Sequence, residues 1–240
     1  MEKLGLEWSG PMTQTTNLSG ITRTDMEVEA KKNWTLFQSD VALLEIRCIN
    51  PFTRAVVCRV FFRQEFPSIE AFREAIEAYA IQMNLQGYNI YINLNPALPS
   101  FNGKQLSDKD IDYRDLIFFD IDRSGTHKAP ATEAELEAAL DLGDTVAALL
   151  LDEGWGQPIK TCSGNGCHLY YELENIGTQQ DETALIELTL KVLAKEFNTT
   201  TTEIDTVVWN ASRITKFLGT IARKGEETAM RPYRLARLLS

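Results

Sequence analysis

Cysteine and histidine are scarce in this 240-residue chain: the thiols are Cys48, Cys58, Cys162 and Cys167, and the imidazoles are His127 and His168. No C-x-x-C pair occurs, so the ligand spacing of a structural zinc site is missing. Reduced thiols suit a cytoplasmic compartment better than a disulfide framework does. Long apolar runs are absent too. Nothing approaches the roughly 20 apolar residues that cross a bilayer, and the start, Met1-Glu2-Lys3-Leu4-Gly5, lacks a signal-peptide core. A cytoplasmic protein without membrane association is expected. Internal repeats and low-complexity segments are also missing. Nor is there an overall basic excess: the formal net charge of −10 argues, taken globally, against a nucleic-acid partner. The distribution differs from the sum. From Arg213 onward, Arg213, Lys216, Arg223, Lys224, Arg231, Arg234 and Arg237 stand against Glu226 and Glu227, seven minus two, a local +5 over 28 residues.

What is present fits a globular protein. Hydrophobic residues make up 44% and charged residues 24%, enough for one large domain or two small ones with a proper core. Residues 1–26 are polar and without periodicity, and read as a loosely held extension to a domain over 27–240. Val41 to Ile49 and Ala55 to Phe62 are β-rich runs joined as a hairpin by Asn50-Pro51-Phe52-Thr53-Arg54. Pro67-Ser68 opens a helix with Ile69, Phe72, Ile76, Tyr79, Ala80 and Met83 on one face, and Gly87 stops it. Tyr88 to Leu94 reads as a strand. Thr132 and Glu135 form a capping box for a helix to about Asp152, interrupted at Gly143. Gln157 to Cys162 and Cys167 to Leu173 read as strands, and Asp181 to Phe197 as an amphipathic helix. Ile204 to Trp209 is a β-rich run starting near Asp205, and 231–240 reads as the middle of a helix, hence as a domain cut from a longer chain. Alternating strands and helices together with hairpins give an α+β or mixed sheet domain.

Three pieces carry chemistry. Leu116-Ile117-Phe118-Phe119-Asp120-Ile121-Asp122 is a buried strand whose two acids, two residues apart, share a face. Adjacent carboxylates there repel unless a cation sits between them, and a divalent metal is the usual answer. Cys162-Ser163-Gly164-Asn165-Gly166-Cys167-His168 is a glycine turn between strands. Such a turn lets backbone N–H groups approach an anion, with the serine hydroxyl and imidazole adding hydrogen bonds. Alone it could equally be a tight turn, and His168 a satisfied core histidine. Third comes Asp205, with Arg213 and Lys216 behind it. Jointly, three carboxylates holding two divalent ions beside a triphosphate-gripping set describe nucleotidyl transfer.

Taken in order, Phe118-Phe119-Asp120-Ile121-Asp122, then Ser163-Gly164-Asn165-Gly166-Cys167-His168-Leu169-Tyr170, then Ile204-Asp205 and Asn210-Ala211-Ser212-Arg213-Ile214-Thr215-Lys216-Phe217-Leu218-Gly219-Thr220, the sequence resembles the archaeo-eukaryotic primase superfamily. The likeness is to its primase-polymerase branch from plasmids, phages and CRISPR-associated proteins. Tyr91-Ile92-Asn93-Leu94-Asn95-Pro96 also resembles a family segment, so the likeness runs over about residues 40–235. It implies an α+β fold, with an RRM-like catalytic sheet and an additional N-terminal α/β unit. It implies Asp120, Asp122 and Asp205 as ligands of two Mg²⁺ or Mn²⁺ ions. It further implies Ser163 and His168, with Gly164, Asn165 and Gly166 of the same loop, on the phosphates of a nucleoside triphosphate, assisted by Arg213 and Lys216; Lys160, near the loop, could contribute similarly. A single-stranded DNA template and primer would be partners, the template lying on the basic C-terminal surface, with any helicase or CRISPR or replication partner outside these residues. Where the family often has Pro-Gly-Thr, this chain has Leu218-Gly219-Thr220. Two rival readings stand beside this one. Asp120-Ile121-Asp122-Arg123-Ser124 loosely meets the strand-ending D-x-D-x-(T/S) of haloacid-dehalogenase phosphatases, with Asp120 as nucleophile and Asp122 as general acid. The other is a non-catalytic replication or nucleic-acid-binding module.

Overall fold

In the computed structural model, residues 20–36, 41–125 and 128–240 are described; His127 and residues 1–19 lie outside them. The chain runs through α1 (Arg23–Ala30), β1 (Leu43–Ile49), β2 (Val56–Phe62), α2 (Ile69–Leu85), β3 (Asn89–Asn93), β4 (Arg114–Arg123), α3 (Glu133–Asp152), β5 (Ile159–Cys162) and β6 (Cys167–Ile176). It continues through α4 (Gln180–Phe197), β7 (Thr202–Ile204), β8 (Ile214–Lys216), β9 (Ile221–Ala222), β10 (Arg234–Leu235) and β11 (Arg237–Leu238). Residues 23–26, read from sequence as extension, are the first half of α1, which Thr22 and Asp25 start with a capping box.

β4 to β7 follow the order β-α-β-β-α-β, with strands arranged β11-β5-β6-β4-β7 and every pair antiparallel. α3 and α4 pack on one face of this sheet. Alternation along β4 and β6 sends Ile117, Phe119 and Ile121, with Cys167, Leu169 and Tyr171, into the helix-facing core. Gly143 does not interrupt α3. A Cβ there would stand 2.5 Å from the Cys167 sulfur, so the glycine lets the helix lie close on β6. The expected α+β fold with an RRM-like sheet is observed. The additional N-terminal unit is the second sheet, β2-β1-β3-β8, backed by α2. α2 starts on Ser68, whose Oγ accepts from the Ala71 amide at 3.1 Å, and buries Phe72, Ile76 and Ala80 on one stripe.

One strand of that second sheet, β8, comes from near the far end of the sequence. Side-chain amides from the first half hold it and its neighbours in place. Asn33 donates to Leu218 O (3.1 Å) and accepts from Leu218 N (2.9 Å). Asn84 does the same for Ile221 at 3.0 and 2.8 Å, and Asn89 for Arg223 at 2.7 and 2.8 Å. Asn95 donates to Ala211 O at 3.0 Å. An asparagine amide presents one donor and one acceptor edge, like a peptide, so it can stand in for a missing strand partner.

The C-terminal residues correct two sequence expectations. Residues 231–240 are not helical: β10 pairs with β9, and β11 pairs Arg237 with Cys162 and Leu238 with Thr161. Sheet-edge hydrogen bonds outweigh the helical pattern of Leu235-Ala236-Arg237-Leu238-Leu239. Asp205 does not begin a strand either. β7 ends at Ile204, and the Asp205 carboxylate accepts from the Val207 amide at 2.8 Å, turning the chain. No described helix is long and apolar enough to cross a membrane.

Asn84 makes the amide clamp testable for stability. Asn84→Ala should lower the free energy of unfolding by about 2–4 kcal/mol, because it strands buried polar groups at Ile221 and Tyr88 that cost roughly 1–3 kcal/mol each. Urea unfolding should show a lower midpoint at an unchanged slope.

Candidate active site

Between the two sheets lies a cleft of about 810 Å³. Its first wall is the exposed face of the β4–β6 sheet, where Phe118, Asp120 and Asp122 alternate with the core residues and His168 lies directly across from Asp120. The second wall comes from β3 and β8, with Tyr91, Thr215 and Lys216. The two walls touch through a run of buried polar contacts. His168 Nε2 stands 3.3 Å from Asp120 Oδ1, and its Nδ1 stands 3.0 Å from the Tyr170 hydroxyl. That hydroxyl is 2.6 Å from Thr215 Oγ1 on β8. Phe118 stacks on Tyr170 and meets the His168 ring edge-on, which fixes the imidazole plane.

On the acidic side, Asp120, Asp122, Glu203 and Asp205 line a neighbouring hollow, reached from the same strand end. Asp122 and Glu203 are direct cross-strand partners, and the Asp205 amide donates to Asp120 O at 2.8 Å. Like charges opposed across a strand pair are unfavourable without a cation between them. Among the described residues, Lys224 supplies one, at 3.3 Å from Asp122 Oδ2. Burial pushes the Asp120 carboxyl up, but His168, Lys224 and Arg213 outweigh it and hold the group below the usual carboxylate range. As the side chains stand, no three Asp, Glu, His or Cys residues among those described are drawn together tightly enough to cage an ion. Asp120 turns to His168, Asp122 to Lys224 and Asp205 to its own turn. The donor set is nonetheless that of a hard divalent ion, all carboxylate oxygen at one strand end.

On the cationic side, Arg54, Lys128, Arg213, Lys216, Arg223 and Lys224 all line the cleft. Two of them carry buried donors without protein acceptors, Nε of Arg213 and Nη1 of Arg223. An orphaned guanidinium donor in a cleft is half of an anion site. Burial lowers the pKa of both arginines. Lys216 is 5% exposed, lies over the Tyr91 ring and donates to Asn89 at 3.2 Å. Burial, with nearby Arg223, brings its pKa down to about 7.

The glycine loop behaves differently from its sequence reading. Ser163 and Asn165 line the cleft, but the amides of Asn165 and Gly166 are taken by Ser163 Oγ at 3.3 and 3.0 Å, and the Gly164 amide faces the Cys162 sulfur. The loop is therefore closed on its own serine. Its glycines serve close packing. Gly164 has φ +95° with Ala222 and Arg234 against it, and a Cβ at Gly166 would stand within 2.3 Å of Ile121 O. Asn165 ties the loop to the start of α3 by accepting from the Ala131 amide at 2.8 Å.

Of the residues singled out in sequence, Asp120, Asp122, Ser163, Asn165, His168, Arg213 and Lys216 share the cleft, and Asp205 joins Asp120 and Asp122 at the adjoining hollow. Lys160 does not. Strand alternation points it to the helix side, where it pairs with Asp144 and donates to Leu140 O. The basic C-terminal stretch divides as well. Arg213, Lys216, Arg223 and Lys224 enter the cleft, while Arg231 and Arg234 bind Glu135 and Glu133 at the start of α3. Glu135 is held down to about 2, chiefly by Arg231. Sequence reading missed Arg54, Lys128, Tyr91 and Glu203. Strand pairing alone brings Glu203 opposite Asp122, and nothing local marks it.

No protein-family profile matches the chain, and no curated protein does. Solved structures do. The crystal structure of primase RepB′ superposes with a TM-score of 0.53 at 15% identity, over 90% of this chain and 56% of that one. The catalytic domain of primase RepB′ in complex with initiator DNA gives 0.52 at 15%, over 90% and 85%. The polymerase domain of Mycobacterium tuberculosis Ligase D in complex with DNA gives 0.52 at 14%, over 90% and 82%. The chain has the archaeo-eukaryotic primase fold. It spans just over half the length of the first of these primases, and the likeness is one of backbone arrangement at low identity.

Lys216 supplies a stability test within this primase fold. Its folded pKa lies below the unfolded one, so between about pH 7 and the ordinary lysine range the unfolded chain binds more protons and stability rises with pH. Below about pH 7 this contribution is flat and unfavourable. Lys216→Met should therefore stabilise the protein at neutral pH, and the gap to wild type should narrow from pH 7 to 9 in urea titrations. Asn89 keeps a donor from the Arg223 amide in that variant.

Proposed function

We propose that this protein is a template-directed nucleotidyltransferase, a primase or DNA polymerase that transfers nucleotides from nucleoside triphosphates to a growing strand with loss of pyrophosphate. One observation carries the reading: carboxylates clustered at the end of β4 and β7 border a cleft whose far side is lined with cations, with His168 beside Asp120. That charge arrangement suits in-line displacement at a phosphate, where both attacking and leaving oxygens need stabilising.

Asp120, Asp122 and Asp205 would hold Mg²⁺ or Mn²⁺, which when bound polarises the primer 3′-hydroxyl and offsets charge on leaving pyrophosphate. Glu203, across from Asp122, adds to the negative charge that would retain it. The residues of the opposite wall bind the triphosphate. Arg213 and Arg223 offer the donors that find no acceptor within the protein. His168 and Ser163 line the same cleft and would reach phosphate oxygens by exchanging their present partners, Asp120 and Gly166. Lys216, poised to lose its proton near neutrality, takes one up as anionic oxygens approach and so binds the charged ligand while tolerating burial in its absence. The His168–Tyr170–Thr215 contacts keep the imidazole aimed at the acidic row. Phe118 and Tyr91 supply apolar surface that excludes water from the phosphates.

The phosphatase reading needs Asp120 to end its strand as a free nucleophile. Instead β4 continues through Asp122 to Arg123, and Asp120 is engaged by His168.

Primer extension on a single-stranded template tests the proposal, with both nucleotide sugars and with Mg²⁺ or Mn²⁺. Asp120→Ala, Asp122→Ala and Asp205→Ala should each lower incorporation by about a hundredfold or more while leaving the circular dichroism spectrum unchanged. Full activity in any of them overturns the assignment. Triphosphate binding without incorporation by the unaltered protein favours the non-catalytic module, and hydrolysis of a generic phosphate ester without nucleic acid favours the phosphatase.

A further inference from the structure

The turn between β1 and β2 stands at the mouth of the cleft. Pro51, Phe52 and Arg54 line the cleft there, beyond the Ile49–Asn89 pair that ends the sheet. This turn is held in shape. Asn50 Oδ1 accepts from the Phe52 and Thr53 amides at 3.0 and 2.9 Å, and backbone bonds from Asn50 to Ala55 and from Arg54 to Asn50 close the loop. Arg54 has φ +63°, a left-handed conformation that costs a branched-free but bulky residue energy and persists only where the surroundings dictate it. Phe52, at the tip, keeps 63% of its surface exposed, and Val56 beside the turn is exposed as well. A preorganised loop thus presents one aromatic ring to solvent with Arg54 two residues on, at the end of the cleft where Asn89 pairs with Ile49 and holds Arg223.

We propose that this tip is the docking point for a single-stranded nucleic acid, with Phe52 stacking on an unpaired base and Arg54 neutralising the adjoining phosphate. Aromatic stacking alternating with backbone neutralisation is how single strands are held without sequence preference. The occupant is a strand and not the incoming nucleotide, because a ring so exposed at the rim cannot enclose a monomer whose phosphates lie deep in the cleft. A strand leaving the cleft passes the tip. Arg54 and Arg223 make this end of the cleft complementary to a polyanion despite the net charge of −10. This placement rests on the nucleotidyl-transfer reading and moves the strand contact from the tail, where Arg231 and Arg234 are already paired, to the N-terminal hairpin.

Fluorescence anisotropy with a labelled single-stranded oligonucleotide, as DNA and as RNA and without triphosphate or metal, tests it separately from catalysis. Phe52→Ala should weaken binding by about five- to a hundredfold, and Phe52→Trp should retain affinity and show tryptophan quenching when the strand is added. Arg54→Asn, a residue that tolerates the left-handed backbone, should lower the slope of log affinity against log salt by about one. Thermal unfolding should be unchanged for Phe52→Ala, since the ring is exposed. Strand affinity within twofold of wild type in Phe52→Ala overturns the proposal, as does failure of the unaltered protein to bind either strand. A change only in the protein's own mass in solution assigns the tip to protein contact and also overturns it. Should the unaltered protein bind the strand through Phe52 yet incorporate nothing, the docking point stands and the polymerase reading falls.

Discussion

The cleft depends on a set of asparagine amides that grip a returning segment of chain. Residues 211–223 carry Arg213, Lys216 and Arg223, and they lie far in sequence from the sheet they complete. Asn33, Asn84 and Asn89 each satisfy both the N–H and the C=O of one residue of this segment. Without them, buried backbone groups would be left unpaired at a cost comparable to that of several hydrogen bonds. The positions of the cationic side chains are thus set by amides from the first half of the chain, of which Asn89 itself lines the cleft.

Once the segment is seated, electrostatics does the rest. The acidic row is met by the His168 imidazole and the Lys224 ammonium, while the opposite wall keeps arginine donors unspent. Burying like charges together is costly unless an oppositely charged guest arrives, so each wall is complementary to something absent from the chain itself. Lys216 softens this cost by sitting close to its own neutralisation point. The Tyr170–Thr215 contact couples the two walls, so that His168 and β8 keep a fixed spacing.

Much of this was legible in the sequence where period and punctuation agreed. The buried Leu116–Asp122 run, the Ser68 and Thr132 caps and the Asn50–Arg54 turn all formed as read. Asp120 and Asp122 declared themselves by their two-residue spacing on a strand. What failed to show was long-range. Lys160 is near the glycine loop in sequence, but strand alternation turns it to the other face. The tail's helical pattern lost to an open strand edge on β5. The clamping role of the asparagines did not show, although Asn84 fell within the expected helix and Asn89 within the expected strand, because their partners lie up to 185 residues away. Glu203 and Arg54 gain meaning only from the strands and turn that place them.

The membership of β8 in the N-terminal sheet has a consequence for biosynthesis. While a ribosome is still extending the chain, β1, β2, β3 and α2 can assemble, but the sheet ends at β3 and Asn33, Asn84 and Asn89 lack their partners among residues 218–223. The second wall of the cleft is incomplete until residues 214–223 have emerged, so a truncated nascent product lacks those cations and should expose an open strand edge to neighbours. The non-local closure also predicts slow final maturation relative to the formation of the α-helices.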